Sequence, residues 1–339
     1  MRVAPRAPAP RRAAAALCLL LVGCGRQFST ASPAGPQARR IDDLTWLFTW
    51  LGAAVYVVVI GFLLYAVWRG HRRAENAAGP EVERRMRNWV VGAVGATLVI
   101  LVFLLFANLT TGRAMGHFTG PDALTIRVTG HQWWWEVEYE DPVPARRVVT
   151  ANEIHVPVGR RVRLQVRSAD VIHSFWAPNL QGKLDLIPGY LGTTYFEADR
   201  PGVYHGRCAE FCGLQHAHMD FLVVAETPAK FRAWYEAQLH PGSVPTGTIE
   251  QKGQQVFLTR ACSSCHTIRG TPAGGTVGPD LTHVGSRMSL AAVTLANTRG
   301  HLAGWVLDPQ RIKPGAKMPP NPLAPDELQA LLSYLESLK

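Results

Sequence analysis

Two long uncharged apolar runs constrain this chain more than any other feature of its sequence. Residues 44–68 and 88–112 are each 25 residues long and contain no charged side chain. A membrane-spanning helix needs about 20 apolar residues, and neither run shows the polar stripe of a buried helix in a soluble protein. The sequence therefore predicts a transmembrane helix hairpin over 41–112. Four tryptophans lie near the ends of the runs, where indole rings favour the membrane interface: Trp46, Trp50, Trp68 and Trp89.

Arginines beside the apolar runs predict the orientation of the hairpin. The connector 69–87 contains six of them, Arg69, Arg72, Arg73, Arg84, Arg85 and Arg87. Positively charged loops stay in the cytoplasm, so the N-terminus and residues 113–339 are expected outside. The formal charge of +10 is not gathered on one basic face, which argues against a nucleic-acid partner.

The N-terminus is typical of a secretion signal. Residues 1–12 carry four arginines and no acid, and 13–23 form an apolar run of eleven residues, too short to span a bilayer. The run ends L-V-G before Cys24, which resembles the lipobox of bacterial lipoproteins. We expect a signal peptide over 1–23 with lipid on Cys24. The alternative is an ordinary signal peptide with a chance cysteine.

From about 120 to 226 the apolar pattern changes to alternation. The stretches 124–129, 161–167 and 193–198 alternate apolar and polar residues, which predicts half-buried strands. Turn-forming Pro and Gly residues separate them. About a hundred residues of short strands favour an all-β sandwich or barrel.

Within this region, C-A-E-F-C-G-L-Q-H-A-H-M places four metal-binding side chains on one loop. Cys208, Cys212, His216 and Met219 are the soft donors that select copper, zinc or an iron–sulfur cluster. A blue-copper site needs one cysteine, zinc does not need Met219, and a disulfide leaves His216 and Met219 unexplained. The donor set therefore favours copper over a disulfide.

Two bridging thiolates can hold two copper ions, each of which then needs an imidazole. The loop supplies His216, and His173 in D-V-I-H-S-F-W (170–176) is the candidate for the second. Two metals that share one electron change their bond lengths little on reduction, which makes electron transfer fast.

A second cofactor motif follows a linker. Thr227-Pro228 predicts the start of a short helix that ends near Leu239, and H-P-G-S-V-P-T-G (240–247) reads as a linker. Such a linker would hold the C-terminal domain at an effective concentration of the order of mM without a tight interface.

Residues 262–266 read C-S-S-C-H, the attachment signature of c-type haem. Cys262 and Cys265 would form the thioether bonds, and His266 would bind the iron. A helical stretch (248–260) precedes the motif, and an amphipathic helix (324–338) closes the chain. We therefore expect an all-α domain over 248–339.

Met318 in A-K-M-P-P is the predicted sixth iron ligand because two prolines stiffen its loop and His/Met ligation raises the haem potential. The rival ligands are Met288, His283 and His301.

The hairpin, G-H-Q-W-W-W (130–135), V-I-H-S-F (171–175), D-L-I-P-G (185–189) and the cysteine loop together resemble subunit II of haem–copper cytochrome c oxidases. G-P-D-L (278–281) and the last helix resemble class I cytochromes c, and the combination resembles the caa3 type. The resemblance implies a multidomain membrane protein with a transmembrane hairpin, an all-β cupredoxin barrel and an all-α cytochrome c domain.

The resemblance also implies the residue roles. Bridging thiolates would be Cys208 and Cys212, the imidazoles His173 and His216, the thioether Met219, and the carbonyl ligand Glu210, whose side chain would also help hold magnesium. Trp133 matches the tryptophan of electron entry, although aromatic runs in strands are usually core packing. Many family members have a Glu just before the tryptophan that opens the second helix. Here R-R-M-R-N precedes Trp89, and Glu81 and Glu83 lie further upstream.

By resemblance, the chain passes electrons from its own haem through CuA to subunit I, where oxygen becomes water and protons are translocated. Implied partners are subunit I, subunit III, soluble cytochrome c or another respiratory donor, and membrane lipid, at a bacterial cell membrane with the redox domains on the periplasmic or outer face. One alternative is the CuA-bearing subunit of a nitric oxide reductase. A second is a tethered copper-binding or redox-sensing protein without a partner enzyme. A quinol oxidase subunit is disfavoured because that branch lacks the copper ligands.

Overall fold

A computed structural model describes residues 28–70, 79–116 and 123–339. The predicted signal peptide and Cys24 lie outside these residues. Two long helices come first, α1 (Pro36–Gly70) and α2 (Pro80–Gly116), and they contact each other. By length and composition both are able to cross a membrane. Their apolar side chains face outward, as at Val99, which suits contact with lipid tails.

The second helix begins earlier than the sequence predicted. Arg84, Arg85 and Arg87, assigned to the connector 69–87, lie within α2. Pro80 occupies the first turn, where its fixed φ suits a helix. Glu81 and Glu83 follow in the same turn, where acidic side chains stabilise the positive end of the helix dipole.

The segment before α1 lies against the β domain (residues 123–226). The Ala34 amide donates to the Asn179 carbonyl over 2.7 Å, and the Asp199 amide donates to the Ala34 carbonyl over 2.8 Å. The Phe28 ring packs edge-on against Trp176. These contacts place the described N-terminal residues on the same side of the hairpin as the β domain, as the predicted topology requires.

The β domain contains two five-stranded sheets. The first has the order β3-β2-β1-β5-β8 and the second β4-β10-β9-β6-β7. Strands β1 and β5 are parallel, as are β4 and β10, and the other neighbours are antiparallel. The strands are β1 (Leu124–His131), β2 (Trp134–Tyr139), β3 (Val148–Ala151), β4 (Glu153–Pro157), β5 (Val162–Ser168), β6 (His173–Trp176), β7 (Leu184–Leu186), β8 (Gly192–Phe196), β9 (Gly202–Cys208) and β10 (Asp220–Glu226).

Aromatic rings fill the core between the two sheets beneath the cysteine loop. Trp135, Phe175 and Phe221 are completely buried. The Phe175 and Phe221 rings stack with centroids 4.2 Å apart, and Trp135 meets Phe221 edge-on at 5.3 Å. A side chain at Gly206 would collide with the Phe221 ring, so β9 passes close over this core. The result is a rigid base for the loop that follows β9.

The C-terminal helical domain (residues 248–339) builds a second core. Helices α4 (Thr248–Thr259) and α8 (Pro325–Ser337) cross closely at Gly253, where any side chain would strike the Ala330 carbonyl. Phe257 and Tyr334 pack edge-on in this core. The remaining elements are α3 (Pro228–Leu239), α4 (Thr248–Thr259), α5 (Cys262–Cys265), the short strands β11 (Ser289–Leu290) and β12 (Leu295–Ala296), α6 (Arg299–Leu307), α7 (Pro309–Ile312) and α8 (Pro325–Ser337). The three predicted helices, ending near Leu239 and covering 248–260 and 324–338, are confirmed within a residue or two.

The helical domain also touches the β domain directly. Gln215 Nε2 donates to the Pro314 carbonyl over 2.8 Å, and the Asp220 amide donates to the Ala292 carbonyl over 3.3 Å. The predicted linker is itself held, since the Gly242 amide donates to the Arg269 carbonyl over 2.9 Å. Specific hydrogen bonds therefore join the two domains in addition to the covalent tether.

Candidate redox centres

Two buried thiols form the centre of the cysteine loop. Cys208 ends β9 and Cys212 lies in the following turn, and each is 3% exposed. Their sulfur atoms are 3.7 Å apart, whereas a disulfide requires about 2.05 Å. Both cysteines are free. The two sulfurs are therefore close enough to share ligand positions without being bonded.

The remaining predicted donors surround this thiol pair. Cys212 Sγ lies 3.7 Å from His216 Nδ1 and 3.8 Å from Met219 Sδ. Cys208 Sγ lies 4.0 Å from His173 Nδ1 and 3.2 Å from the carbonyl oxygen of Glu210.

Each sulfur thus has one imidazole and one weaker donor beside it. His173, Cys208 and Cys212 also meet the geometry of a shared metal site. A set of two thiolates, two imidazoles, a thioether and a carbonyl suits a pair of copper ions.

The electrostatics of the pair favour partial ionisation. The hydrogen bond from Cys212 lowers the pKa of Cys208, against the opposing effect of burial. The same interaction, together with burial, raises the pKa of Cys212. The pair therefore loses its first proton more readily than its second, and metal binding must displace both.

Asp170 orients one imidazole from behind. Its Oδ1 lies 2.8 Å from His173 Nε2, which leaves Nδ1 directed at Cys208. Burial alone would raise the pKa of Asp170, but hydrogen bonds from His173 and from the Gln132 and Val171 amides lower it. A carboxylate behind a ligating histidine selects the tautomer and orients the ring. No sequence motif singled out Asp170, although its position three residues before His173 was the available signal.

Trp133 and Gln132 both donate hydrogen bonds to the backbone of the cysteine loop (208–219), called the copper loop below. Trp133 Nε1 donates to the Cys212 carbonyl over 2.9 Å, and Gln132 Nε2 donates to the same oxygen over 2.8 Å. Trp133 is 9% exposed. Its indole is therefore both core packing and a direct hydrogen-bonded neighbour of a candidate ligand.

The C-S-S-C-H motif lies on one wall of an apolar cavity. Cys262 and Cys265 occupy the short helix α5, and His266 follows it. His266 Nδ1 lies 2.7 Å from the Pro279 carbonyl and must donate to it, which leaves Nε2 as the ligand atom. Burial lowers the pKa of His266, so the ring is neutral, as iron ligation requires. A side chain at Gly278 would strike the His266 ring.

Met318 also lines this cavity, whereas the rival ligands do not. Met288 is half exposed. The two ring nitrogens of His283 lie near the carbonyl oxygens of Lys339 and His240, at 3.0 and 3.1 Å. His301 is exposed. Apolar walls, the two thiols, a neutral imidazole and a thioether suit a covalently attached haem.

Four residues of the β domain complete the cavity wall: Gln132, Trp133, Trp134 and Asn152. Trp134 stacks on His131, with ring centroids 4.4 Å apart. Trp133 thus lines the candidate haem cavity and also hydrogen-bonds to the copper loop. No sequence pattern indicated that one residue would belong to both sites.

The predicted magnesium ligand and the acids upstream of Trp89 have side chains that are exposed rather than held in a site. The Glu210 side chain is exposed, unlike its carbonyl, which faces Cys208. Glu81 and Glu83 are exposed on the first turn of α2.

Comparison with known proteins decides the family. Residues 141–226 match the family "Cytochrome C oxidase subunit II, periplasmic domain", and residues 250–339 match "Cytochrome c". The cytochrome c oxidase subunit 2 of Alkalihalophilus pseudofirmus is 36% identical over 336 residues, covering 95% of each chain. The chain belongs to the cytochrome c oxidase subunit 2 family. The Bacillus subtilis member is 32% identical over 344 residues, again covering 95% of each chain.

A solved structure overlaps one part of this subunit. The periplasmic domain of subunit II of cytochrome oxidase from Bradyrhizobium japonicum is 34% identical, covers 35% of this chain and 95% of its own, and has a TM-score of 0.33. The relatives named here are oxidase subunits rather than nitric oxide reductase subunits, so the alternative acceptor is not supported. The fold is that of a subunit II with two apolar helices, a cupredoxin-like β domain and a helical cytochrome c domain.

Proposed function

We propose that this subunit carries electrons from its own c-type haem to a binuclear CuA centre and then to subunit I of the oxidase. The observation that carries the proposal is the position of Trp133. This residue lines the haem cavity and donates through Nε1 to the carbonyl of Cys212. One side chain therefore spans the gap between the two sets of ligands.

The copper centre is assigned to the residues around the thiol pair. Cys208 and Cys212 would bridge the metals, while His173 and His216, each beside one of the sulfurs, would each bind one metal. Met219 and the Glu210 carbonyl, which lie beside Cys212 and Cys208, would fill the remaining positions. When bound, two coppers that share one electron accept and release it with little change in bond lengths. The protein supplies the rigid, buried cage that keeps this change small.

The haem is assigned to Cys262, Cys265, His266 and Met318. The two cysteines would attach the porphyrin, and the Pro279 carbonyl holds the His266 ring through Nδ1, so that Nε2 would be the iron ligand. Gln310 Nε2 donates to the Met318 carbonyl over 2.8 Å, which fixes the loop that carries the thioether. His/Met ligation gives a haem whose potential suits an electron donor to copper.

Trp133 is proposed as the contact through which electrons leave the haem edge. Its burial excludes water, and its hydrogen bond to Cys212 joins the indole to the copper loop. A buried indole N–H needs a partner in any case, but here that partner is the backbone of a candidate copper ligand, which supports a relay role.

The surrounding assignments follow from family membership. We propose that subunits I and III are neighbours, that subunit I reduces oxygen to water with proton translocation, and that soluble cytochrome c or another respiratory donor reduces the haem. The redox domains (120–226 and 248–339) would face the periplasm or the cell exterior of a bacterial membrane. Residues 41–112 would contact lipid, and residues 227–247 would connect the two redox domains. Magnesium at Glu210 and lipid on Cys24 belong to the same proposal.

Stoichiometry and spectroscopy of the purified oxidase test this function. We expect two coppers and one covalent haem per subunit II beyond the metals of subunit I, together with the paramagnetic resonance spectrum of a mixed-valence copper pair. Oxygen uptake, without nitric oxide consumption, should accompany donor oxidation. A full chain that cannot retain two coppers after reduction and reconstitution contradicts the proposal.

A further inference from the structure

We infer that Glu153 and Lys313 are positioning residues that lock the helical domain (248–339, called the haem domain below) onto the β domain (123–226, called the copper domain below). This lock would hold the haem cavity against Trp133. This inference rests on the proposed function, because it concerns how the two candidate cofactor sites are kept in register. Neither residue belongs to either ligand set. Both are almost completely buried, at 3% and 2% exposure.

Glu153 reaches from the copper domain into a loop of the haem domain. It begins β4, and its carboxylate accepts hydrogen bonds from the Met288 amide, the Ser289 amide and the Ser289 hydroxyl, at 3.2, 2.9 and 3.0 Å. All three donors belong to the helical domain. A buried carboxylate whose hydrogen-bond partners come from another domain holds that domain in one orientation.

Lys313 makes the reverse contact, from the haem domain to the copper domain. Its Nζ donates to the Trp133 carbonyl over 2.6 Å and to the Ala291 carbonyl over 3.2 Å. Trp133 is therefore held at both ends, by Lys313 at its backbone and by Cys212 at its indole. The lysine binds the residue that separates the two cofactor sites.

The loop between these contacts adopts a conformation that the sequence disfavours. Ala291, Ala292 and Val293 have φ angles of 53°, 58° and 64°, which are strained for residues with a side chain. The Ala291 carbonyl accepts from Lys313, and the Ala292 carbonyl accepts from the Asp220 amide of the copper domain. One contact within the haem domain and one contact with the copper domain therefore hold the strained backbone.

Buried charges at an interface act on orientation more than on affinity. Desolvating Glu153 and Lys313 is costly, and rotating the haem domain would leave the carboxylate and the amine buried without their hydrogen-bond partners. Only the observed arrangement satisfies both. The consequence is a haem domain that rests against Trp133 in one orientation, rather than one that reaches Trp133 only by diffusion on its linker.

Hydrogen–deuterium exchange on the full chain in detergent tests the lock without relying on turnover. In Glu153→Gln and Lys313→Met, the Met288 and Ser289 amides should exchange at least about tenfold faster, because the interface that protects them opens more often. Glu140→Gln and Lys252→Met are the matched controls. Their charges pair within one domain, with Arg127 and Asp326, and exchange at Met288 and Ser289 should not change.

A second readout measures electron transfer in the whole oxidase. After rapid reduction of the haem, one electron leaves the iron and enters the copper pair. Its transfer rate should fall by about tenfold or more in both variants, because a displacement of about 1 Å is enough to disrupt a positioned site. The haem spectrum and the copper resonance spectrum should stay at wild-type form.

The possible results distinguish failure of the lock from failure of the proposed function. Unchanged exchange and an unchanged transfer rate in both variants overturn the lock while the proposed function stands. A wild-type chain that lacks either cofactor overturns the proposed function itself. If Glu153→Gln does not accumulate, Ser289→Ala removes one of the three donors and should give a smaller increase in exchange at the same amides.

Discussion

The Asp170 carboxylate and the His173 imidazole lie 2.8 Å apart, on the side of the ring away from the thiol pair. The other oxygen of Asp170 accepts from the Gln132 amide and lies 3.6 Å from Lys317 Nζ of the haem domain. Lys317 directly precedes Met318. One carboxylate therefore contacts a candidate copper ligand, the residue that precedes Trp133 and the residue that precedes the candidate iron ligand.

Asp170→Asn should weaken copper retention. The amide still fits the space but lacks the negative charge that supports the imidazole, and loss of such an outer partner commonly costs 10–100-fold in metal affinity. Competition with a copper chelator, after reduction of the thiols, measures the change. Asp185→Asn, at an exposed site on β7, is the control, and equal affinities in the two variants would contradict the role.

Cys212→Ser should abolish the mixed-valence copper spectrum and leave the haem intact, because a hydroxyl does not bridge two coppers as a thiolate does. Paramagnetic resonance and haem staining of the same sample measure both sites. Cys265→Ser is the reciprocal control, since it should weaken covalent haem attachment while the copper spectrum persists. A wild-type copper spectrum in Cys212→Ser would refute the ligand assignment.

Met318→Ala should lower the haem reduction potential and open the sixth iron position. The thioether raises the potential, and alanine cannot replace it as a ligand. Redox titration followed by absorption spectroscopy, with and without added imidazole, measures both effects. Met288→Ala should behave as wild type, and the opposite pattern in these two variants would move the sixth ligand to Met288.

Trp133→Phe should slow electron transfer from haem to copper while both cofactors remain bound. Phenylalanine keeps an aromatic ring in the cavity wall but cannot donate to the Cys212 carbonyl, at a cost of about 1 kcal/mol for one lost hydrogen bond. Transient absorption after rapid haem reduction measures the rate. Trp234→Phe removes an indole that stacks on His155 instead, and it should leave the rate unchanged.

Docking of the two domains should strengthen between about pH 7 and pH 10 because of Lys313. Burial lowers the pKa of Lys313 to about 7 from its ordinary 10.5, although Asp220 and Cys212 oppose the shift. The undocked domain therefore binds more protons than the docked one across this interval, and docking gains free energy as pH rises. Below pH 7 this group contributes no slope.

Amide exchange at Met288 and Ser289, corrected for the intrinsic pH dependence of exchange, reports the docking equilibrium. The corrected protection should increase from pH 7 to pH 9 in the wild type. Lys313→Met should remove this increase, whereas Lys252→Met should keep it. A decrease in protection over this range in the wild type would contradict the assignment.

Much of the local structure was predictable because its causes are local. The uncharged runs predicted both long helices, and alternation predicted the strands that became β1, β5 and β8. Thr227 followed by Pro228 predicted the start of α3, where the Thr227 hydroxyl accepts from the Lys230 amide. The connector was less predictable, because Pro80 and the following acids extended α2 through arginines that hydropathy assigned to a loop.

By itself the sequence determined which chemistry is present: two thiols, two imidazoles and a thioether for copper, and C-S-S-C-H for haem. Ligand spacing is a local property, so motifs reveal it. Only the tertiary structure decided that Trp133 lies between the two sites, that Asp170 supports His173, and that Glu153 and Lys313 join the domains. These relationships connect residues far apart in the chain, and their burial follows from how two separate cores pack against each other, which no local pattern encodes.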